Sequence, residues 1–544
     1  MDSEFSVQLQ TQAYGVLSSK DVHPMETLFS HLFSPQEPQR SQAYGLLHCC
    51  RKHFPDLLFI KLFYVIRQGP SADIRARSAL VLRFVLCDLW PKLSLNAQIN
   101  MKNNFLVSLQ EECSLPTLRI LCAIASEMAS EISGVGNEWP EFIEYLLKSF
   151  QSESERFQLS ALWVLAFLPK VYRPIACKAL APSIEPIHLA FLSALNSENA
   201  DIQVATFSAV VSLIHLFSNS SGRNWFHDLL RGMMVGLFNL LSRLKEDYAR
   251  GALKELIMLV MEEPQLLKPY LNELVLDMLK IAESEQVTEG TKVFVHKFLL
   301  TIAEASDLAL TMRGLPQQTL VRLLTVPMKL LLCINDDNAC YNKESDQGVN
   351  VGKTDLGIAY LTKISTALGE KTMTPIAFEL FLEYMDASDW KKRHAGISML
   401  AVIAKECSGE MVLMKNCLEQ VTSVILKSFQ DPHSRVCCAA FNFMQLPITL
   451  IEAMQILHHL RIVPALVTAL DQHSIPRVKE QAASAILHLI KKLPSDGLRM
   501  HTDLDTILSK LHKEPQYASM FFLELKFNFR KALGFESFCN GVAS

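Results

Sequence analysis

The 544-residue sequence lacks the features that mark secreted and membrane-spanning chains. It contains no C-x-x-C pair, and its 13 cysteines are too dilute for the disulfide framework of a small secreted protein. The N-terminal MDSEFSVQLQ has no basic segment before an apolar run, so it does not predict a signal peptide. The longest charge-free apolar stretch, Ile202–Phe217, is broken by polar residues and is shorter than the ~20 residues that span a bilayer. We therefore predict a reducing compartment and no membrane insertion.

The sequence also lacks an excess of positive charge. Lys and Arg number 52 against 56 Asp and Glu, which gives a net charge of −4 and argues against direct nucleic-acid binding by the whole protein. Hydrophobic residues make up 49% of the chain and charged residues 20%, which predicts an ordered chain with a large core.

Period-2 alternation is missing as well, whereas apolar residues recur at helical spacing. Several helical segments resemble one another. Each opens with Asp, Ser or His in a turn, continues with a basic or polar residue and a small residue, and ends in a bulky apolar run. The segments are SADIRARSALVLRFVL from Ser71, NADIQVATFSAVVSLI from Asn199, SDWKKRHAGISMLAVI from Ser388, QDPHSRVCCAAFNFM from Gln430 and HSIPRVKEQAASAILHLI from His473.

The small residue of each segment measures the repeat. Its steps along the chain are 35, 43, 39, 45, 47, 43, 64, 36, 44 and 43 residues. A period of ~40–47 residues with two helices per unit is typical of HEAT or armadillo repeats. The sequence therefore predicts an all-α, HEAT-repeat (armadillo-like) right-handed superhelical solenoid, with an irregular all-α domain as the alternative. The positions are Ala43, Ser78, Leu121, Ser160, Ala205, Ala252, Val295, Ala359, Ala395, Ala439 and Ala482.

Domain boundaries follow from where this pattern fails. We predict a solenoid of about 11–12 helix pairs over residues 1–515, and a divergent Phe-rich cap or tail over residues 516–544. The one long step contains a polar stretch, Asn335–Lys353, which we predict to be a loop inserted between the two helices of one repeat.

Motifs for chemistry are weak. Gly348–Thr354 resembles a phosphate-binding loop but has three residues between its glycines where such loops have four, and a helical pattern precedes it. The crowded His48, Cys49, Cys50 and His53 have no second Cys/His pair at zinc-finger spacing. We therefore predict no enzymatic activity, no cofactor and no metal, with a nucleotide site at Gly348–Thr354 as the rival interpretation.

Three consecutive segments, Asp389–Cys407, Ser428–Asn442 and Arg477–Pro494, resemble HEAT repeats of the importin-beta superfamily, and most closely its beta-three branch. The string WKKRHAG at Trp390–Gly396 and the Asp-Pro-His at Asp431–His433 are the more specific parts. Upstream segments, including NEWPEFIEYLLKSFQSESERFQLSALWVL from Asn137, are similar to early repeats of that family, so that the resemblance covers about residues 1–513.

The resemblance implies a nuclear transport receptor that moves between cytoplasm and nucleus. Such proteins bind cargo nuclear localisation signals and the small GTPase Ran on the concave surface of the superhelix, and nucleoporins are further partners. The resemblance places Arg40, Asp73, Arg75 and Arg77 toward the GTPase. It places Lys391, Lys392, Arg393 and Arg435 in the middle of the wrapped surface. Repeat-to-repeat stacking is the alternative role for these side chains.

Three departures from the family pattern bear on this interpretation. Beta-three receptors are about twice as long, so the chain resembles their front half. The loop Asn335–Lys353 is less acidic than its family counterpart, which puts an acidic clamp for basic cargo in doubt. Cys437 stands where the family has arginine, which weakens the polar ladder between repeats. A Ran-independent HEAT-repeat scaffold for protein–protein interaction is therefore the alternative function.

Overall fold

The computed structural model describes residues 2–134, 136, 138–217, 223–334, 351–413 and 415–492. The chain forms two compact units. Unit 1 comprises Met1–Leu266 with Val287–Phe294, and unit 2 comprises Leu267–Gln286 with Val295–Ser544. Within the described ranges every regular element is a helix and no strand occurs, as the absence of period-2 alternation predicts.

The helices up to the end of the sixth repeat pair are α1 (Asp2–Ser18), α2 (His23–Leu32), α3 (Glu37–His53), α4 (Pro55–Gln68), α5 (Ala72–Leu89), α6 (Leu95–Glu111), α7 (Leu115–Gly134), α8 (Pro140–Phe150), α9 (Glu155–Ala166), α10 (Arg173–Leu180), α11 (Ile184–Leu195), α12 (Ala200–Ser212), α13 (Ile214–Phe217), α14 (Arg223–Ser242) and α15 (Glu246–Glu262). Those that follow are α16 (Pro264–Leu267), α17 (Leu271–Glu283), α18 (Glu289–Glu304), α19 (Ser306–Met312), α20 (Gln317–Leu331), α21 (Val351–Leu368), α22 (Glu370–Met385), α23 (Trp390–Leu413), α24 (Lys415–Ser428), α25 (Ser434–Met444), α26 (Thr449–Gln472) and α27 (Pro476–Lys492).

Unit 1 is built from antiparallel helix pairs, of which we name the first member the A helix and the second the B helix. The pairs are α2–α3, α4–α5, α6–α7, α8–α9, α11–α12 and α14–α15, and the two helices of each pair contact one another. The B helices also contact their successors, α5 with α7, α7 with α9, α9 with α12 and α12 with α15. One layer of A helices therefore covers one layer of B helices, and the core lies between the layers and between successive pairs.

Unit 2 repeats this arrangement. Its pairs are α20–α21, α22–α23, α24–α25 and α26–α27, and the B helices α21, α23, α25 and α27 contact one another in that order. In each unit, successive helix pairs stack through their B helices. This agrees with the HEAT repeat predicted from the apolar spacing.

Ten of the eleven small residues that define the predicted period lie on B helices, and Val295 lies on α18. Most of them are buried, but Ala359 is exposed, so its assignment as the packing residue of its repeat is wrong. The close approach occurs at Gly357, where an added Cβ would lie 3.1 Å from Leu330 Cβ, from Leu331 Cδ2 and from Pro327 O. Glycine therefore lets α21 contact α20 at this repeat, and a search for alanine or serine misses it.

The turn before several B helices is braced by one side chain of the B helix. The side chain donates a hydrogen bond to the carbonyl oxygen six residues earlier in the chain, across the turn. The donors and acceptors are Arg40 to Ser34, Arg75 to Gly69, Gln158 to Ser152, Arg393 to Ala387 and Cys437 to Asp431. Ser71, Asn199 and His433 cap the helices that follow them by accepting backbone N–H bonds.

The predicted insertion occupies the connection between α20 and α21, the two helices of one pair. Its residues 335–350 lie outside the described residues, as do the end of the predicted solenoid at 515 and the predicted cap at 516–544. The last three residues, Val351–Lys353, form the first turn of α21, so the loop was predicted three residues too long. The domain boundaries at 515 and 516 stay predictions.

Two described stretches, Arg173–Leu195 and Thr449–Gln472, have the length and apolarity of a membrane span. The first is divided in the structure, because α10 ends at Leu180 and α11 begins at Ile184. Length and composition do not by themselves indicate a membrane span, since a mostly buried core helix meets the same criteria. The absence of membrane insertion stays a prediction.

Candidate partner-binding surface

The residues singled out from the sequence lie near the N-termini of four B helices. Arg40 is on α3, Asp73, Arg75 and Arg77 are on α5, Lys391 to Arg393 are on α23, and Arg435 is on α25. The first four belong to unit 1 and the last four to unit 2. Their side chains differ in what they contact, and those contacts divide them into residues that hold repeats together and residues that remain exposed.

Arg75 connects two repeats of unit 1. Its Nε and Nη2 donate to the two carboxylate oxygens of Glu112, each at 3.0 Å, and Nη1 donates to Gly69 O at 3.3 Å. Arg156 of α9 also contacts the turn that contains Glu112. It donates to the carbonyl oxygens of Glu112 and Gln110, each at 2.6 Å. Arg75 is thereby engaged in stacking between repeats.

Glu112 is the acidic centre of this contact. Its side chain is 6% exposed and also accepts the backbone N–H of Ser114 at 2.8 Å. Burial by itself raises the pKa of Glu112, but the hydrogen bonds from Arg75 and Ser114 outweigh burial and hold the pKa below its ordinary value.

We expect Glu112→Gln to lower the free energy of opening around α5 and α7 by about 1.5–3 kcal/mol at pH 7, because the charged partner of Arg75 is lost. A carboxylate with a depressed folded pKa stabilises the fold above its unfolded pKa, and this stabilisation disappears as pH falls through the folded value. The difference between wild type and variant should therefore shrink below pH 4.5, the ordinary value for this group. Hydrogen exchange of α5 and α7 amides at several pH values measures this difference in opening free energy. A difference between wild type and Glu112→Gln that does not change with pH would refute the role of the charge.

Arg393 makes the equivalent contact in unit 2. Its Nε and Nη2 donate to the carboxylate of Asp431 at 2.7 and 2.9 Å, and its Nη1 donates to the carbonyl oxygens of Ala387 and Ser388. The side chains of Arg393 and Asp431 are only 15% and 8% exposed. Arg40 braces its own turn through Ser34 O and pairs with the neighbouring Glu37.

Asp73 and Arg77, whose side chains are 69% and 38% exposed, form one i, i+4 pair, with 2.8 Å between Arg77 Nε and Asp73 Oδ2. An exposed pair of this kind contributes about 0–1 kcal/mol, so that a partner can separate it at little cost. The Arg77 guanidinium also lies 5.6 Å from the centre of the Phe33 ring. These two residues are therefore available to a partner in a way that Arg75 is not.

An aromatic patch adjoins this pair, and sequence reasoning missed it. We define the patch as Phe33, Tyr44, Leu80 and Phe84, whose exposed fractions are 48%, 49%, 41% and 68%. The rings of Tyr44 on α3 and Phe84 on α5 are 6.4 Å apart in an edge arrangement. On α5 the exposed face runs through Asp73, Arg77, Leu80 and Phe84, at helical spacing opposite the buried face.

An exposed apolar cluster rimmed by charge is typical of a protein-interaction site. The signal that would have found it is a second apolar row on α5 at i, i+4 spacing, offset from the buried row of Ser78, Leu82 and Val85. A single sequence does not distinguish the two rows by composition, because both contain bulky apolar residues.

In unit 2 one of the singled-out residues, Arg393, lines a groove between two turns. The groove, of about 940 Å³, is lined by the 385–390 and 430–433 turns with Lys427 and Val424 of α24. The Trp390 ring is stacked on the His433 ring with 3.7 Å between centroids and 4° between planes. Lys391 Nζ is 5.8 Å from the Trp390 ring centre, and Lys392 is exposed. The specific sequence strings around Trp390 and His433 thus build one stacked contact between repeats.

Within the described residues no group of three His, Cys, Asp or Glu side chains is placed to hold a metal ion. Burial raises the pKa of the Cys50 thiol to about 12 and that of the Cys437 thiol to about 12. These thiols are therefore protonated at neutral pH and are poor nucleophiles. In the motif of the rival nucleotide interpretation, Gly348 to Asn350 lie outside the described residues, and Gly352 to Thr354 are in the first turn of α21.

The sequence and the fold are similar to those of known proteins. Residues 117–276 match the family model described as "IPO5-like, TPR repeats". The repeat steps in that range are 39, 45 and 47 residues, which fit HEAT repeats better than the 34-residue TPR period. Importin subunit beta-3 of Saccharomyces cerevisiae is 22% identical over 380 residues, which are 69% of this chain and 33% of that protein.

The crystal structure of Kap121p superposes with a TM-score of 0.74 at 19% identity and covers 94% of this chain. Kap121p bound to RanGTP gives a TM-score of 0.73 at 18% identity over 93% of this chain, and other structures of Kap121p hold Pho4p or Nup53p. These likenesses confirm the predicted all-α HEAT-repeat fold class. The sequence matches confirm the resemblance to the importin-beta superfamily.

The chain spans about half the length of the Kap121p structures, of which it covers 48%. It spans a third of importin subunit beta-3.

Six of the eight singled-out residues fall into two groups by their contacts. Arg40, Arg75 and Arg393 hold turns and repeats. The exposed Asp73 and Lys392 and the half-buried Arg77 are open to a partner.

Proposed function

We propose that this relative of the importin-beta superfamily is a nuclear transport receptor, which binds a Ran-like GTPase and cargo nuclear localisation signals and moves between cytoplasm and nucleus. The observation that carries the proposal is the fold likeness to Kap121p over 94% of the chain, together with the sequence match to importin subunit beta-3. Nucleoporins are proposed as further partners, because one Kap121p structure holds Nup53p.

The proposed mechanism is competition between two partners through one array of helix pairs. The GTPase and the cargo would each bind best to a different curvature of the array, so that binding of one shifts the population away from the other. This requires a different affinity of each partner for the two shapes, because a ligand that binds both equally shifts nothing. The stacked pairs of each unit can deform by small changes at each contact between B helices.

We place the GTPase on the aromatic patch and the adjoining Asp73–Arg77 pair of unit 1. The patch combines exposed aromatic rings with the adjoining Asp73–Arg77 ion pair, and aromatic residues together with arginine are the composition of interaction hot spots. Arg75, in contrast, is held by Glu112, so its replacement would test the stacking of repeats and not the partner. This separates the four residues that the family resemblance groups together.

The test is binding of the purified chain to Ran loaded with GTP or with GDP, measured by surface plasmon resonance or calorimetry. We expect binding to the GTP form only. The double variant Arg77→Glu, Phe84→Ser should weaken that binding at least about ten-fold, or by ~1.4 kcal/mol, with an unchanged melting temperature. The matched control is Leu189→Ser, which removes a 59% exposed leucine from the A helix α11 and should leave binding unchanged.

Equal binding of the two nucleotide forms, or none, would refute the receptor proposal and favour the Ran-independent scaffold. Retained binding in the double variant would refute the location but not the function. The rival nucleotide site is tested separately by Lys353→Ala. We expect no nucleotide binding by the wild-type chain, and binding that is lost in this variant would support the rival.

A further inference from the structure

An ion pair in unit 1 joins two repeats that are not neighbours. Lys170 Nζ donates to Glu262 Oε1 at 2.6 Å, and the two residues are 92 positions apart in the sequence. A contact between adjacent repeats, such as that of Arg75 with Glu112, spans 37 positions. Lys170 follows the α8–α9 pair and Glu262 ends the α14–α15 pair. The contact therefore skips the α11–α12 pair, whereas a repeat of a solenoid ordinarily contacts only its neighbours.

Lys170 is presented by the short connection between α9 and α10, residues 167–172, which we name the strap. Leu168 and Tyr172 of the strap are 2% and 7% exposed, and the backbone N–H of Tyr172 donates to Pro169 O at 2.8 Å. These contacts hold the strap on both sides of Lys170. Formation of the ion pair therefore orders little more than the lysine side chain, which limits its cost in conformational entropy.

The carboxylates at the end of α15 meet basic groups from two earlier repeats. Arg173, the first residue of α10, places Nη1 3.9 Å from Glu262 Oε1, and His215 Nδ1 of α13 lies 3.2 Å from Glu263 Oε1. The helix dipole disfavours acidic side chains at the C-terminal end of a helix, so these contacts offset an unfavourable position. The hydrogen bond from Lys170 holds the pKa of Glu262 below its ordinary value, although burial raises it.

The same three repeats enclose a cavity of about 470 Å³. Its lining includes Phe167 of the strap and Arg173 on one side, Ser208 of α12 in the middle, and Glu255 and Met258 of α15 on the other side. The two outer sides belong to the repeats that the ion pair joins. The width of the cavity is therefore set by whether that ion pair is made or broken.

We propose that Lys170, Arg173 and Glu262 form a clasp that locks three successive repeats of unit 1 in one curvature and opens reversibly. The side chains of Lys170 and Glu262 are 70% and 20% exposed, so that water and salt reach the pair. A surface ion pair shifts an equilibrium by at most about five-fold. The clasp therefore favours the closed form without preventing the open one. Opening separates the strap from α15 and widens the cavity between them.

The clasp would supply the two-state element that competition between partners through curvature requires, and this link rests on the proposed function. Small changes at many stacked contacts give a gradual deformation, whereas an ion pair that is either made or broken gives two discrete forms. A partner with higher affinity for the open form shifts the population toward it, and a partner with equal affinity for both forms shifts nothing.

The test measures the distance between α10 and α15 in the full chain by double electron–electron resonance. Nitroxide labels are attached to a genetically encoded keto amino acid at Ile175 and Met261, which are 48% and 64% exposed. This avoids labelling of the 13 cysteines. We expect Lys170→Met and Glu262→Gln each to raise the population at longer distance about two- to five-fold. A rise from about 0.05 M to about 0.5 M salt should lengthen the distance in the wild type but not in the variants, because salt screens the exposed charges.

The matched control is Lys148→Met, which removes an exposed lysine that pairs with Glu144 within α8 and should leave the distances unchanged. An equal shift in this control would mean a general effect of charge removal and would overturn the proposal. So would distances at low salt that are the same in the wild type, Lys170→Met and Glu262→Gln.

Addition of Ran loaded with GTP to the labelled wild-type chain tests the link to partner exchange. A changed distance distribution would support the link, and an unchanged distribution with Ran bound would refute it. If Ran does not bind, the receptor proposal fails, and the distances in the variants still decide whether the clasp exists. The clasp and the receptor function can therefore fail separately.

Discussion

Asp431→Ala is expected to lower the free energy of opening of the α23–α25 repeats by about 3–5 kcal/mol. The side chains of Asp431 and Arg393 are 8% and 15% exposed and meet through two hydrogen bonds of 2.9 and 2.7 Å. Removal of the carboxylate leaves the Arg393 guanidinium without its counter-charge in a buried setting. The backbone N–H of His433 also loses its 2.9 Å acceptor, Asp431 Oδ1, which loosens the ring that stacks on Trp390.

Hydrogen exchange of the α23 and α25 amides measures this effect locally, because repeat arrays open in parts. The control is Asp73→Ala, which breaks the exposed Asp73–Arg77 pair and should cost about 0–1 kcal/mol. Replacing both partners, Arg393→Met with Asp431→Leu, should restore much of the loss, since no unpaired buried charge remains. If Asp431→Ala costs no more than Asp73→Ala, the contact is not part of what holds the repeats together.

Phe441→Ala should lower the free energy of opening of the α23–α25 repeats by about 3–5 kcal/mol, because it leaves a cavity between repeats. Phe441 on α25 is fully buried, and its ring is stacked 4.7 Å from that of Phe429. It also meets the His473 ring edge-on at 6.5 Å, while His473 Nε2 lies 2.7 Å from Phe429 O. The cavity would therefore loosen the contact of α25 with both the turn before it and the turn before α27.

The matched substitution is Phe84→Ala, in which the same side chain is removed from a B helix where it is 68% exposed. Its expected cost is within about 0.5 kcal/mol. Thermal and denaturant unfolding of both variants, with hydrogen exchange to locate the change, gives the comparison. If Phe441→Ala and Phe84→Ala lose similar amounts of stability, the exposed fraction of a phenylalanine does not decide whether it belongs to the core or to the aromatic patch.

The repeat was predictable because stacking of identical pairs imposes a period on the sequence. Each pair needs a capped turn, a small residue and an apolar row in the same order, and these are local features. The prediction failed at Ala359, since the helix contact there required the still smaller Gly357. Only the positions of Leu330 and Leu331 on the facing helix show which residue must be small.

The charged residues were predictable as a class but not in their roles. Arg75 and Arg77 are two residues apart in one string, yet one is engaged with Glu112 of the next repeat and the other is paired with Asp73 beside Phe33. These contacts come from turns of other repeats: Glu112 lies 37 residues from Arg75, and Phe33 follows the end of α2. No local pattern therefore distinguishes the two arginines. Cys437 in place of arginine was expected to weaken the ladder, and its thiol donates only a weak 3.2 Å bond to Asp431 O.

The sequence by itself determined the class of the protein: an all-α array of helix pairs with a period near 43 residues, free of recognisable catalytic chemistry and similar to importin-beta proteins. The helix pairs and their period follow from composition and from contacts between residues near in the chain, and the similarity follows from the strings that resemble that family. Tertiary structure alone decided which side chains hold repeats together and which remain for partners, and it created the aromatic patch of unit 1. The patch joins residues of successive repeats, and the stacking of repeats sets their distances and burial.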